Sequence, residues 1–198
     1  MKCASTLLIA IFLSIAPAAA EQSENPEREM KREAQQVARE LVNKLGAALK
    51  QAMKDSGPDG AISVCRDTAP MLANALSRRT GWKVSRVSLQ ARNPLIGQPD
   101  AWEQEVLQRF DYDAAGGAGP AKLTVAAIVK EPEGEYFRYM KALPAKPLCL
   151  TCHGSKKLIP ESVQEILAQE YPNDVATGYS AGHIRGAVSI KRKLDPSD

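Results

Sequence analysis

Apolar residues recur at three- and four-residue steps through Met30, Ala34, Val37, Leu41, Leu45, Ala48 and Ala52. That spacing makes one stripe along an α-helix. Asn25 suits the N-cap and Pro26 the first helical position, so the pattern predicts a long helix over residues 24–55. Lys31, Arg32, Glu33, Arg39, Glu40 and Lys44 fill its solvated side. Ser56-Gly57-Pro58 is expected to stop the helix, with Gly57 in a left-handed cap. A second helical pattern runs over residues 59–79, where Ile62, Cys65, Ala69, Leu72, Ala73 and Leu76 share a face. Pro70 lies inside it, so a kink or break is expected there, with Thr68 capping the second part.

After Gly81 the pattern changes. Residues 82–89 (WKVSRVSL) are rich in β-branched side chains and read as a strand. Arg92-Asn93-Pro94 and Gly97-Gln98-Pro99 mark a loop. A short helix over 99–112 follows, with Trp102, Val106, Leu107 and Phe110 on its apolar side. Residues 114–120 (AAGGAGP) form a turn. Strands over 123–130 and 135–143 flank Glu131-Pro132-Glu133-Gly134 and predict an antiparallel pair. Residues 144–153 begin irregularly, 160–171 form a short helix that Pro172 ends, 173–182 form a loop, and 184–192 a last strand. No βαβ crossover repeats, so the predicted class is α+β: a small antiparallel sheet with flanking helices and a long N-terminal helix. No repeat or low-complexity boundary divides it, and a single domain over residues 21–198 is expected.

The first twenty residues stand apart. Lys2 precedes an apolar run over 7–15, and Ala18 and Ala20 fit a small-x-small cleavage rule before Glu21. This reads as a signal peptide cleaved after Ala20, with a periplasmic destination. The run is short for a bilayer span, and no other stretch is long enough, so no span is expected in the mature chain. The formal charge of +3 falls to +2 once Lys2 is removed. So small an excess, spread along the chain, excludes a nucleic-acid-binding footprint. Two histidines, His153 and His183, exclude a multi-histidine metal site.

Export leaves Cys65, Cys149 and Cys152, an odd number. Cys149-Leu150-Thr151-Cys152-His153 is C-x-x-C-H, the attachment signature of c-type haem. The two thiols can bond the two vinyl groups, and the adjacent histidine becomes the proximal iron ligand. A thioredoxin-like dithiol would sit in a βαβ unit, and this pair follows Pro144 and Pro147 in a loop. Structural zinc needs four ligands, and the mature chain's cysteines and histidines are too few and too scattered. One motif predicts one covalent haem c. The second axial ligand stays open among Cys65, His183, a methionine (Met30, Met53, Met71 or Met140) and none. His183 reads as an ordinary loop histidine, and Met30 and Met53 fall on or beside the first helix's stripe. Arg86, Arg92 and Arg185 are candidates to pair with haem propionates.

The motifs together resemble a known family. Ala61-Ile62-Ser63-Val64-Cys65-Arg66, Arg92-Asn93-Pro94 followed by Trp102-Glu103, the Cys149–His153 motif, and residues 171–179 (YPNDVATGY) leading to Ile184-Arg185-Gly186-Ala187 occur in order over nearly the whole mature chain. They resemble the single-haem c-type domains long labelled a domain of unknown function. Such domains occur as free exported proteins and as the sensing part of membrane histidine kinases. The resemblance implies a PAS-like fold and a His/Cys axial pair, His153 with Cys65. Two filled axial positions would leave substrate no route to iron, which argues against an enzyme. The expected role is one-electron transfer or redox-responsive haem binding; the alternative is a redox or gas sensor acting through a separate signalling partner. The long first helix offers a surface for a homodimer.

Overall fold

The computed structural model describes residues 25–195. The expected signal peptide and its cleavage site lie outside the described residues. Helix α1 spans Pro26–Ser63. Its start is capped as the sequence predicts: the Asn25 side chain accepts from the Glu27 N–H at 2.9 Å. Met30, Ala34, Val37, Ala38 and Leu41 are buried along one stripe. Beyond them Leu45, Ala48 and Ala52 are only half-buried.

Gly57 does not end the helix outright. It leaves helical geometry (φ 65°, ψ −168°), and helical bonding resumes beyond Pro58 on a redirected course. Nor does the chain break at Pro70. Instead Val64–Thr68 forms a π-helical turn that leads directly into α2, Ala69–Thr80. Thr68 was expected to cap α2, but it has helical backbone angles and its side chain makes no cap bond. A continuous helical path leaves no free N-terminus there to cap. Gly81 closes α2 in the left-handed conformation (φ 73°), as expected.

Strand β1 is Lys83–Val87, shorter than predicted. Ser88 turns away because its hydroxyl donates to the Arg185 carbonyl (2.8 Å) and accepts from the Gln90 N–H (3.2 Å). A one-turn helix, α3 (Pro94–Gly97), fills what the sequence shows as loop; Asn93 caps it through the Leu95 N–H. Helix α4 is Ala101–Ala115. Asp100 and Glu103 close a reciprocal capping box at its start, which Pro99 was expected to open.

Strands β2 (Thr124–Glu131) and β3 (Gly134–Pro144) form the predicted hairpin, and β4 is Ile184–Lys193. Between β3 and β4 lie a single helical turn, α5 (Leu150–His153), and α6 (Glu161–Glu170). The sheet runs β1-β4-β3-β2, all pairs antiparallel. The last strand thus inserts between the first and third.

Both faces of the sheet are covered, because side chains alternate along each strand. Phe137, Tyr139, Val188 and Ile190 pack with Trp82 against α1 and α2. Met140, Ala142 and Ala187 pack against Val106, Leu107 and Phe110 of α4. On the α4 side Arg138, nearly buried, meets Asp100 (2.6 Å), Glu103 (3.3 Å) and Glu131 (3.1 Å). At Gly186 (φ 154°) β4 comes so close to β1 that an added Cβ would lie 2.3 Å from the Val87 carbonyl oxygen. The α+β expectation therefore holds, with helices on both sides of the antiparallel sheet.

Across the outer surface Arg79 of α2 grips Glu40 of α1 with two bonds, 2.9 and 2.6 Å. Arg79, with help from Lys44, holds the Glu40 carboxyl down at about 2. A carboxylate depressed in the folded state contributes stability that is present above its unfolded value and lost as pH falls through the folded one. Glu40→Gln is therefore expected to lower stability at pH 7 by under about 1 kcal/mol, the size of an exposed ion pair. The gap from wild type should narrow below about pH 4 and close by about pH 2 in urea titrations. A gap that stays constant across that range would contradict it.

Candidate functional site

The end of β3, the end of β1 and the start of β4 converge at one rim of the sheet, and the C-x-x-C-H segment sits there. Pro147 starts a short 3-10 turn, Pro147–Cys149, that passes directly into α5. Cys149, Cys152 and His153 thus lie on one tight helical stretch. Cys149 and Cys152 are half-buried and unpaired, as is Cys65. The segment is anchored from behind: the Gly178 N–H donates to the Gly154 carbonyl (2.8 Å) and the Tyr179 N–H to the His153 carbonyl (2.9 Å).

The imidazole is oriented by the loop after α6. His153 Nδ1 lies 2.7 Å from the Ala176 carbonyl oxygen. A carbonyl can only accept, so the ring proton sits on Nδ1 and Nε2 keeps its lone pair. Arg185 Nε also lies 3.2 Å from Nδ1. One nitrogen cannot donate to the carbonyl and accept from the guanidinium in the same tautomer. The shorter carbonyl contact decides, because two acceptors facing at 2.7 Å would repel. Arg185 has better partners in the Ser88 hydroxyl (2.8 Å) and the Gln90 carbonyl (3.2 Å). Burial, then the charges of Arg185 and Arg92, hold the imidazole well below its usual pKa, so it is neutral at ordinary pH. The Tyr179 ring meets the His153 ring edge-on, with Arg185 over its face.

Asp174 builds this loop. One carboxylate oxygen accepts from the Ala176 N–H at 2.7 Å, and the other takes the Arg92 Nε–H at 2.9 Å. Arg92, only 8% exposed, also donates from Nη2 to the Cys152 carbonyl at 2.5 Å. A single ion pair therefore ties the loop after α6 to the C-x-x-C-H turn. The sequence motifs contain both residues, but Arg92 reads there as a candidate for anionic groups. In the structure its Nε and Nη2 are committed to Asp174 and Cys152. Asp174 carried no role in the sequence reading; the only signal was its place in a turn-forming Pro-Asn-Asp run.

Cys65 enters from the opposite side. It sits in the π turn, three residues after Ile62. Ile62 packs in a cluster with Ile159, Val163, Leu167 and Tyr171, against which Cys152 also rests. Burial is the main reason that the Cys152 thiol and the Tyr171 phenol lie above their usual values, and Cys65 lies near enough to both to add to the rise. An Arg66–Glu170 bond (2.5 Å) clips this turn to α6, and a Ser162–Asp59 bond (2.9 Å) clips the end of α1 to it. The fold thus brings Cys65 to the C-x-x-C-H segment over 80 residues of chain.

Other candidates fall elsewhere. Met30 and Met140 are buried in two separate core clusters, and Met71 is exposed on α2. His183 is exposed, and its Nδ1 accepts from the Ser180 N–H at 3.3 Å. Its backbone pins the loop to Ala145, an ordinary structural role. Arg86 lies near enough for its charge to reach His153 and Arg185. A cleft of about 770 Å3 is bounded by Gln90, Tyr179 and His183 among others, but touches none of the three thiols. Among the described residues no group of three or more His, Cys, Asp or Glu is placed to hold a metal ion, and no helix is long and apolar enough to cross a membrane.

The model of the Tll0287-like family matches residues 22–192. The chain belongs to the Tll0287-like family. This is a PAS-like family, formerly labelled a domain of unknown function and associated with sensor domains, and it is the family the sequence motifs resemble. One solved structure, described as the cyanobacterial heme-protein Tll0287, shares the fold with a TM-score of 0.65 at 24% identity. The match covers 86% of this chain and 98% of that one. Comparison with curated proteins finds no match.

Breaking the Arg92–Asp174 pair leaves a buried guanidinium without its carboxylate and frees the Ala176 N–H. Asp174→Ala is expected to cost about 3–5 kcal/mol, the range for removing one partner of a buried pair. Denaturant unfolding measures it. A cost below about 1 kcal/mol would mean that water replaces the carboxylate at no loss.

Proposed function

We propose that this chain is an exported, single-domain haem c protein, with the mature domain over residues 21–198, and that it works as a PAS-like sensor module rather than as a simple carrier. One observation carries the haem reading: the Nδ1–H bond to the Ala176 carbonyl, which fixes the imidazole as a neutral ligand with Nε2 free. Metal-binding histidines are oriented in this way by an acceptor on the other ring nitrogen. The donor set fits haem c and little else. Two free thiols a helical turn apart adjoin the histidine, and a third thiol approaches from another element.

In this reading Cys149 and Cys152 would hold the group through thioether bonds, and His153 and Cys65 would be the residues that bind its iron. Haem supplies a one-electron ferric/ferrous couple. The protein supplies orientation and electrostatics. Ala176, Asp174 and Arg92 hold the imidazole in one tautomer, while Ile62, Val163 and Tyr171 provide an apolar wall. A thiolate at Cys65 favours the ferric state and lowers the potential relative to a thioether ligand, the more so where screening is weak. A sensor of this kind would need its ligand set to differ between the two oxidation states, and Cys65 would be the residue to supply that difference. The family's association with sensor domains favours that use. The change would be read by a separate signalling protein, and the compartment in this reading is the periplasm. Electron transfer to a redox partner is the second reading, favoured if both ligands stay bound in the two oxidation states.

Cys149→Ser/Cys152→Ser is expected to abolish haem stain in denaturing gels. Stain that survives in the double variant would refute covalent attachment through this motif.

The axial assignment is tested separately. Cys65→Ser should change the ferric EPR g values and the Soret band, and Cys65→Met should raise the midpoint potential once EPR confirms that methionine binds. His183→Ala should change neither spectrum nor potential. The reverse pattern would give the ligand role to His183. Resonance Raman spectra of the two oxidation states then separate the sensor from the carrier reading.

A further inference from the structure

The five residues Val64–Thr68 are the only π-helical turn among the described residues, and Cys65 is its second member. π turns cost hydrogen-bond quality and persist where something demands them. Here the demand is visible in the next residues. The Ala69 N–H reaches back five residues to the Val64 carbonyl. Pro70 follows immediately, with no N–H to donate to Arg66 four residues earlier. In a regular α-helix its ring would also press on the Arg66 carbonyl. Widening the preceding turn by one residue moves that carbonyl away and lets α2 continue without a break.

The extra residue changes which side chains face inward. An α-helix advances ~100° per residue. Inserting one residue in a turn therefore reorients everything before it relative to everything after it. Ala69, Ala73 and Leu76 after the turn are buried, Ala73 and Leu76 in the sheet-facing core. Ile62 before it packs on α6. The π turn lets one continuous helical path satisfy both surfaces, and Cys65 lies at the transition between them. Arg66 and Asp59 hold the same segment to α6 from outside.

We propose that Pro70 is a positioning residue for the Cys65 thiol: by excluding a regular α turn, it holds the chain in the π turn that directs Cys65 at the C-x-x-C-H segment. This deepens the proposed haem reading and rests on Cys65 being the second axial ligand. Pro70 itself touches neither iron nor substrate; it acts through the backbone at Arg66 and Val64. Pro70→Ala restores an N–H that can bond the Arg66 carbonyl and lets the turn tighten.

The test uses the holoprotein. In Pro70→Ala, haem stain should remain at the wild-type level, because Cys149 and Cys152 are untouched. The ferric EPR spectrum should lose the wild-type g pattern in favour of the pattern given by Cys65→Ser or a mixture of the two. Deleting Asp67, with Pro70 retained, takes the extra residue out of the turn directly and should give the same spectral change. Leu72→Ala, which removes apolar packing from the same helix, should lower the unfolding midpoint and leave the g values alone. Wild-type g values in both the Pro70→Ala and the shortened-turn proteins would overturn the proposal. So would a Leu72→Ala spectrum as altered as that of Pro70→Ala, since general loosening would then suffice. If Cys65→Ser itself leaves the spectrum unchanged, the ligand assignment fails, and that failure is distinct from a Cys65→Ser effect that Pro70→Ala does not reproduce.

Discussion

The Arg92–Asp174 ion pair is the interaction on which the arrangement of the site depends. It joins two segments that share no secondary structure, the loop beyond β1 and the loop beyond α6. Each partner has a second task that the pair makes possible: Arg92 holds the Cys152 carbonyl, and Asp174 holds the Ala176 N–H. The Ala176 carbonyl is thereby aimed at His153, and the ring's tautomer follows. A buried pair of this kind gains little net energy over apolar packing. Its value lies in geometry, because a guanidinium and a carboxylate with several bonds each permit few relative positions.

Around this clamp the fold divides its work. The body of the sheet and the first half of α1 form a dense core away from the site. The rim where β1 and β3 end and β4 begins carries the C-x-x-C-H turn. Gly186 lets β4 approach Val87 closely just where Arg185 departs toward Ser88 and Gln90. The third thiol is delivered by a different device, a helical path bent at Gly57 and widened before Pro70. The histidine and the third thiol are held differently: His153 by hydrogen bonds to its ring and its carbonyl, Cys65 by a π turn whose Arg66 is tied to Glu170 of α6.

The elements legible in the sequence are those with local causes. The β2–β3 hairpin follows from two strand patterns around a Gly-containing turn, and α1 from a stripe and its Asn25–Pro26 start. The C-x-x-C-H motif carries its chemistry in five consecutive residues. Family resemblance added Cys65, which a lone thiol on an apolar face could not have announced. Less legible were the features that depend on partners far away. The one-turn helix α3, the end of β1 at Val87 and the fate of the helix at Pro70 were each decided by what packs beside them. Pro70 marked a disturbance, but whether it became a break or a π turn depended on the two surfaces that flank it.

By itself the sequence determined the α+β class and the order of the main helices and strands, and it proposed three of the four candidate site residues, because periodicity, caps and contiguous motifs act within a few residues. Only the tertiary structure decided that β4 inserts between β1 and β3, that Arg92 serves Asp174, and that Cys65 comes near the C-x-x-C-H segment. Those are pairings between segments far apart in the chain, from 40 residues for Pro144↔Ile184 to 108 for Lys83↔Lys191. Nothing in either segment alone states its partner, since a buried charge or thiol is satisfied by whichever group the packed chain places against it.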